Sequence, residues 1–152
     1  MKKILFGVMI ISLFVWGCSS NQPRECVDGD CTDGKGTIQL QNGTKYVGQF
    51  KESHREGDGI YQWPNKETYS GAWKKNTRDG NGTYTYPSGA KYIGQYSNDK
   101  RNGNGMYLWP DGDKYEGEWK DGNMHGNGTY TFKDGRALRG KFQNNYFVEE
   151  AK

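Results

Sequence analysis

The stretch Tyr92–Lys114, YIGQYSNDKRNGNGMYLWPDGDK, decides the fold because the sequence around it repeats its layout every 23 residues. A glycine follows each leading tyrosine by two positions, an aromatic residue follows by four, and Gly-x-Gly pairs keep the same period. The leading tyrosines are Tyr46, Tyr69, Tyr92 and Tyr115, and the Gly-x-Gly pairs begin at Gly57, Gly80, Gly103 and Gly126. A fixed period of this length predicts a stacked-repeat architecture.

Each unit contains two short segments whose side chains alternate with the period of a β-strand. In the template these segments are Tyr92–Tyr96 and Gly105–Trp109, and in both the tyrosines, glycines and tryptophan share one face. The Pro110–Asp113 segment that follows is typical of a turn, because proline presets its φ and glycine supplies a positive one. We therefore predict an all-β fold, an elongated and single-layered antiparallel meander of repeated β-hairpins.

The repeats also predict the domain organisation. Four full units occupy residues 46–68, 69–91, 92–114 and 115–137, and a half-unit on either side would cap the stack. We assign residues 34–146 to the repeat domain and residues 147–152 to a charged C-terminal tail. In the first full unit Lys66 replaces the turn glycine, so we expect that turn to be strained or to adopt another type.

The first residues resemble a bacterial export signal. Three residues, two of them lysines, precede an apolar run of 13 residues, Ile4–Trp16, which is too short to span a bilayer comfortably. Val15–Ser20 resembles the lipobox of bacterial lipoproteins, although Trp16 stands where a small residue is usual. The resemblance implies a signal peptide at residues 1–17, acyl chains on Cys18 and an outer-membrane lipoprotein on the periplasmic or surface face. A soluble secreted or periplasmic protein, cut at an ordinary signal-peptide site, is the alternative.

Residues 18–33 would then form a tether and a cap that contains Cys26 and Cys31. Two close cysteines in an exported protein predict a disulfide. A zinc site is disfavoured because a second cysteine pair or a nearby histidine is missing from the spacing. The acidic residues around the two cysteines lack the spacing and the closing glutamate of a calcium loop. We expect neither a metal nor a cofactor.

The order Tyr-x-Gly-x-aromatic, seven residues, Gly-x-Gly and a turn before the next tyrosine resembles the MORN repeat, over about Gly34–Phe142. Lys66 at the first turn and Leu138 at the last leading position depart from that pattern. The resemblance implies an elongated, twisted sheet of hairpins that mediates interactions rather than catalysis. In this family the repeats are linked to membrane tethering, self-association and scaffolding, and binding of acidic phospholipids is proposed.

The residues themselves offer little catalytic chemistry. His54 and His125 have no neighbouring nucleophile and no shared acidic partner in the sequence. Glu116 and Glu118 lie on the face opposite the tyrosine row, where the other units carry unrelated residues, so a solvated face explains them better than an acid–base pair. No Gly-x-Gly pair precedes a helix that could bind phosphate. We therefore expect a protein that is not an enzyme.

A column of basic residues recurs at the repeat period between the predicted strands, at Arg55, Arg78 and Arg101. Together with Trp63 and Trp109, these are the candidate binding residues for an anionic phospholipid or a cell-wall glycan. Acidic residues are interleaved with the column, so charged loops that keep a sheet protein soluble are the alternative explanation. The net charge of +3 includes the two lysines of the export signal, and such a small charge disfavours nucleic acid as a partner.

Taken together, these features lead us to expect a binding or scaffolding module of the bacterial cell envelope. An N-terminal lipid would hold it at the membrane, and the repeat sheet would be presented to an envelope protein. An unpaired strand at the end of the sheet would also permit a homodimer. A ligand-binding module for anionic phospholipid or glycan is the alternative function.

Overall fold

The structure is a computed structural model that describes residues 24–150, so the predicted signal peptide, Cys18 and the last two residues lie outside it. Twelve strands follow one another in a single open sheet, in the order of the sequence, and every neighbouring pair is antiparallel. This architecture confirms the predicted meander of hairpins. Within residues 24–150 no helix is long and apolar enough to cross a membrane.

The strands are short and regularly spaced. They are β1 Arg24–Gly29, β2 Lys35–Leu40, β3 Lys45–Lys51, β4 His54–Gln62, β5 Thr68–Lys74, β6 Thr77–Thr85, β7 Lys91–Ser97, β8 Lys100–Leu108, β9 Lys114–Lys120, β10 Asn123–Thr131, β11 Ala137–Gln143 and β12 Tyr146–Glu150. Each full unit thus contributes one hairpin.

The turn inside each full unit is only two residues long. In the first unit these residues are Glu52 and Ser53, with φ of 50° and 60°. Positive φ at both central residues characterises the type I′ turn, whose twist matches that of the flanking strands, so β4 resumes at once with His54. Arg55 and its equivalents therefore lie on strands, which corrects the expectation that they occupy loops between the strands.

The turn between units is closed by one recurring backbone hydrogen bond. Gly89 N donates to the carbonyl of Tyr86 over 3.0 Å, and Lys66 N donates to the carbonyl of Trp63 over the same distance. Lys66 keeps the common turn type by adopting a left-handed conformation with φ of 70°. Since residues with a Cβ adopt this conformation only at a cost, the strain that we predicted from the sequence is present at this turn.

The sheet extends beyond the segment that the sequence assigns to the repeats. Strand β1 lies in the predicted tether and cap, and β12 includes most of the predicted tail. Phe147 explains the second extension, because its ring packs on that of Phe142 at 5.3 Å between centroids. At the other end a disulfide between Cys26 and Cys31 joins β1 to the turn that precedes β2. The two free edges of the sheet are thus β1 and β12.

The core is a row of tyrosine rings on one face of the sheet, each lying across a pair of facing glycines. The four leading tyrosines are at most 2 % exposed. Tyr92 illustrates the contact, because it covers Gly94 and Gly105, which are direct partners on β7 and β8. A Cβ on Gly105 would lie 2.6 Å from Cζ of Tyr92, so a larger residue would displace the ring. We call this surface the ring face.

A β-bulge completes each tyrosine contact. The pairing of β7 with β8 shifts between Gly94 and Tyr96, where the extra residues of the bulge lie on β8, and Gln95 has no direct partner on that strand. The hydroxyl of Tyr92 donates to the freed carbonyl of Gln95 over 2.9 Å. Burial raises the pKa of Tyr92 to about 12, so this phenol remains protonated and able to donate. The other three leading tyrosines donate to the equivalent carbonyls.

A second set of rings fills the space between neighbouring tyrosines. Tyr92 meets Tyr96 of its own strand and Trp119 of the next unit edge to face, with centroids 5.1 and 5.2 Å apart. Edge-to-face pairs at this distance add stability beyond the apolar area that they bury. The indole N–H of Trp119 also donates to the carbonyl of Gly105 over 3.1 Å. Each unit is therefore joined to the next by rings as well as by the β-ladder.

We expect Gly105→Ala to lower the free energy of unfolding by about 1–3 kcal/mol, the usual cost of forcing extra volume into a packed site. Denaturant titration followed by near-ultraviolet circular dichroism measures both the stability and the order of the tyrosine rings. Asn104→Ala is the matched control, because Asn104 is exposed and its side chain points to the opposite face. Equal midpoints for the two variants would contradict the ring-on-glycine contact.

Candidate functional site

The arginine column is built into the contacts between units. The guanidinium of Arg101 lies over the ring of Trp119, with Cζ 4.3 Å from the centroid, and Nη2 donates to the carbonyl of Gly122 over 2.6 Å. Arg55 makes the same two contacts, over the ring of Trp73 at 4.3 Å and with the carbonyl of Asn76 at 2.7 Å. Each arginine thus reaches from its own unit to the turn of the next.

Arg78, the middle member of the column, is engaged most completely. It lies 5.2 Å from the ring centroid of Tyr96, and its Nε donates to Oδ1 of Asp99 over 2.9 Å in an ion pair. Its Nη2 donates to the carbonyl of the same aspartate. The three arginines that we named as ligand-binding candidates therefore spend part of their hydrogen-bonding capacity inside the sheet.

Trp63 and Trp109 belong to a continuous ladder of eight rings on the ring face. Neighbouring centroids along it are 4.5–5.9 Å apart, and all the rings except that of Tyr84 are partly exposed. The ladder runs Tyr61, Trp63, Tyr84, Tyr86, Tyr107, Trp109, Tyr130 and Phe132. The structure places both tryptophans in one surface with the arginine column beside it.

The opposite face of the sheet, which we call the outer face, exposes two apolar pairs. Val47 and Ile60 are direct cross-strand partners and are 43 % and 45 % exposed. Ile93, paired with Met106, is 41 % exposed and lies two units further along. A shallow groove of about 460 Å³ runs beside the first pair. The alternation of residues along the strands places Val47 and Ile93 on this face, which we expected to be only solvated.

The described part of the chain contains no candidate metal site. Cys26 and Cys31 are bonded to each other, and residues 24–150 contain no group of three or more histidine, cysteine, aspartate or glutamate side chains that could hold an ion. His54 and His125 lie on β4 and β10, three hairpins apart in the sheet.

Comparison with known proteins agrees with the repeat pattern. A family model described as the MORN repeat matches residues 46–68, 69–91, 92–114 and 115–135. No curated protein sequence matches the chain significantly. Among solved structures, the chain is similar to the TCP domain of Drosophila melanogaster SAS-4 (dCPAP), determined in complex with a proline-rich motif of Ana2 (dSTIL). That likeness covers 91 % of this chain and 85 % of the other, at 12 % identity and a TM-score of 0.44.

We expect Arg101→Ala to lower the free energy of unfolding by about 1–2 kcal/mol, because the substitution removes a half-buried cation–π contact and a charge-assisted hydrogen bond. Arg136→Ala is the control, since the Arg136 side chain is 77 % exposed and its contacts, an ion pair with Asp134 and the ring of Phe132 at 5.2 Å, stay within its own unit. Urea denaturation of the two variants measures the difference. Equal free energies of unfolding for the two variants would contradict a structural role of Arg101 and would favour a column that serves only to bind a ligand.

Proposed function

Because the chain belongs to the MORN repeat family, we propose that it is a non-enzymatic scaffolding module that binds a protein partner in a bacterial cell envelope. The repeat sheet would present the partner with a long surface whose shape changes little on binding. An acyl anchor at Cys18 would hold that surface close to the membrane.

The observation that carries the choice of a protein partner is the pair of exposed apolar patches on the outer face. Nearly all of the large apolar side chains of the repeats lie on the ring face, where they form the core and the ladder. Within the four full units, residues 46–137, the large apolar residues that remain substantially exposed are Val47, Ile60 and Ile93, while Tyr146 and Val148 are exposed on the edge strand β12 and Val27 on the edge strand β1. Contiguous exposed apolar groups rimmed by polar residues mark surfaces that bind a protein or a membrane.

The charges of the sheet favour this proposal over the binding of anionic lipid. Arg78 is neutralised by Asp99, and Lys100 is paired with Asp121 over 2.9 Å. Arg55 and Arg101 each donate to a carbonyl of the next turn. With Arg78 neutralised and Arg101 hydrogen-bonded, the arginine column attracts a phosphate-rich membrane less than three free guanidinium groups would, although Arg55 keeps unused donors at one end of the sheet.

We expect a single envelope protein to be captured by the immobilised full-length chain from a detergent extract of the native envelope. Ile60→Lys and Ile93→Lys place a charge in the two apolar patches, so each should abolish the capture. Thr129→Lys is the matched control, because Thr129 lies in the same cross-strand row next to Glu116, beyond the patches. Mass spectrometry of the retained protein, at equal loading of each variant, measures the effect.

Other outcomes of this capture experiment would overturn the choice of surface or of partner. Capture that survives both isoleucine substitutions would exclude the outer face as the binding surface. An empty column, together with sedimentation of the chain on anionic liposomes or peptidoglycan, would favour the alternative of a lipid- or glycan-binding module. Lysine substitutions should strengthen binding to an anionic membrane, so that case is distinguishable from the loss of a protein partner.

The acyl anchor is the second part of the proposal, and it rests on the lipobox-like segment Val15–Ser20. We expect the chain to incorporate a palmitate analogue when it is expressed in a Gram-negative bacterium, and we expect Cys18→Ser to prevent the labelling. Intact mass and in-gel fluorescence measure these two effects. A wild-type chain that keeps its full mass and stays unlabelled would contradict the anchor.

A further inference from the structure

A small pocket opens on the ring face at the end of the sheet that carries β1. Its volume is about 70 Å³, and its floor includes the buried rings of Tyr46 and Phe50. Ile38 and Leu40 form one wall, and Tyr61, the first ring of the ladder, forms the other. The pocket therefore lies on the face opposite Val47 and Ile60, and its role is independent of the protein-binding surface proposed above.

The repeat pattern explains why space remains at this position. Ile38 occupies the unit position of Tyr61, and Leu40 occupies that of Trp63. In the next unit Trp63 packs on Tyr84 with centroids 5.3 Å apart, whereas Leu40 is too small to cover Tyr61 in the same way. The ring ladder thus ends with one partly uncovered aromatic face.

Two positive charges converge on this pocket without a compensating acid. Arg24, the direct cross-strand partner of Leu40, lies at its rim together with Arg55, and no carboxylate lines it. Neither arginine forms an ion pair with any residue between 24 and 150. Desolvation lowers the pKa of Arg55 from its ordinary value, and the nearby charge of Arg24 lowers it further.

Comparison with Arg78 shows what is missing beside Arg55. Nε of Arg78 donates to the carboxylate of Asp99, and the equivalent residue next to Arg55 is the neutral Asn76. Within residues 24–150, the Arg55 side chain donates one hydrogen bond, from Nη2 to the carbonyl of Asn76. Since a guanidinium carries five N–H donors, Arg55 retains capacity for an anion.

We propose that this pocket binds a carboxylate attached to a short branched aliphatic group. The aliphatic group packs against Ile38, Leu40 and the free face of Tyr61, and the carboxylate accepts hydrogen bonds from Arg24 and Arg55. An apolar cavity of roughly 150 Å³ is known to hold benzene, so a pocket of about 70 Å³ suits an isobutyl-sized group rather than a ring. A free branched-chain acid and the C-terminal leucine of a peptide share this chemistry.

Titration of the isotope-labelled full-length chain in detergent, followed by nuclear magnetic resonance, tests the proposal. The probes are isovalerate, isovaleramide, and the peptide Gly-Gly-Leu with a free or an amidated C-terminus. We expect the carboxylates to shift the amide signals of β2 and β4 saturably, and the amides to bind about tenfold more weakly or not at all. Tighter binding of the free peptide than of isovalerate would identify a protein C-terminus as the source, and the reverse order would identify a free acid.

Substitutions within the pocket provide the second arm of the test. Arg24→Gln should weaken binding of the carboxylate about tenfold, and Arg136→Gln, at the far end of the sheet, should leave it unchanged. Leu40→Trp restores the ring that other units carry, so it should fill the pocket and abolish binding without lowering the unfolding midpoint. Ile38→Tyr serves the same purpose if Leu40→Trp fails to fold. Absence of saturable shifts, equal binding of acid and amide, or undiminished binding to a folded filled-pocket variant would each overturn the proposal.

Discussion

A tyrosine ring lying across two facing glycines is the contact on which the rest of the sheet depends. A single-layered sheet has no second layer to cover its apolar face, so its core must be built from side chains that lie flat on its own backbone. The glycines allow each ring to approach the strands, and the bulge beside them presents the carbonyl that accepts the phenol proton. One local arrangement therefore supplies apolar burial, hydrogen-bond satisfaction and register in every unit.

The two faces of the sheet therefore have different roles. The ring face mainly holds the stack together, because its rings and its arginine column join neighbouring units. Its surface is most open to a ligand at the end where the ladder stops at Tyr61. The outer face has no comparable set of contacts between units, and its residues vary from unit to unit. Val47 with Ile60 and Ile93 with Met106 recur at a spacing of two units, as do Trp73 and Trp119. The structural repeat is thus one hairpin long, whereas part of its surface chemistry repeats every second hairpin.

Most of the fold could be predicted from the sequence, because each unit repeats a pattern with a direct physical meaning. The alternation within Tyr92–Tyr96 predicts a strand. Glycines and aromatic residues that recur at the same period predict rings that lie over glycines. The ends of the sheet were harder to predict, since β1 and β12 lack the repeat signature and owe their places to a disulfide and to a contact between Phe147 and Phe142. The period of the arginine column was readable from the sequence, but its position on strands and its contacts were not, because they depend on two-residue turns that put each guanidinium over the rings of the next unit. The pocket was also missed, although Ile38 and Leu40 at positions otherwise held by rings were a readable signal.

The most direct test of the central contact is the proton chemical shift of the glycines beneath the rings. Gly59, Gly82, Gly105 and Gly128 each lie against the ring of a leading tyrosine, so one α-proton of each should be shifted strongly upfield by the ring current. Gly43, Gly89 and Gly135, in turns with open space around them, should show no such shift. This pattern would establish the ring-on-glycine contact in solution. Ordinary shifts at the four strand glycines would contradict it, and with it the account of how a single layer of strands holds together.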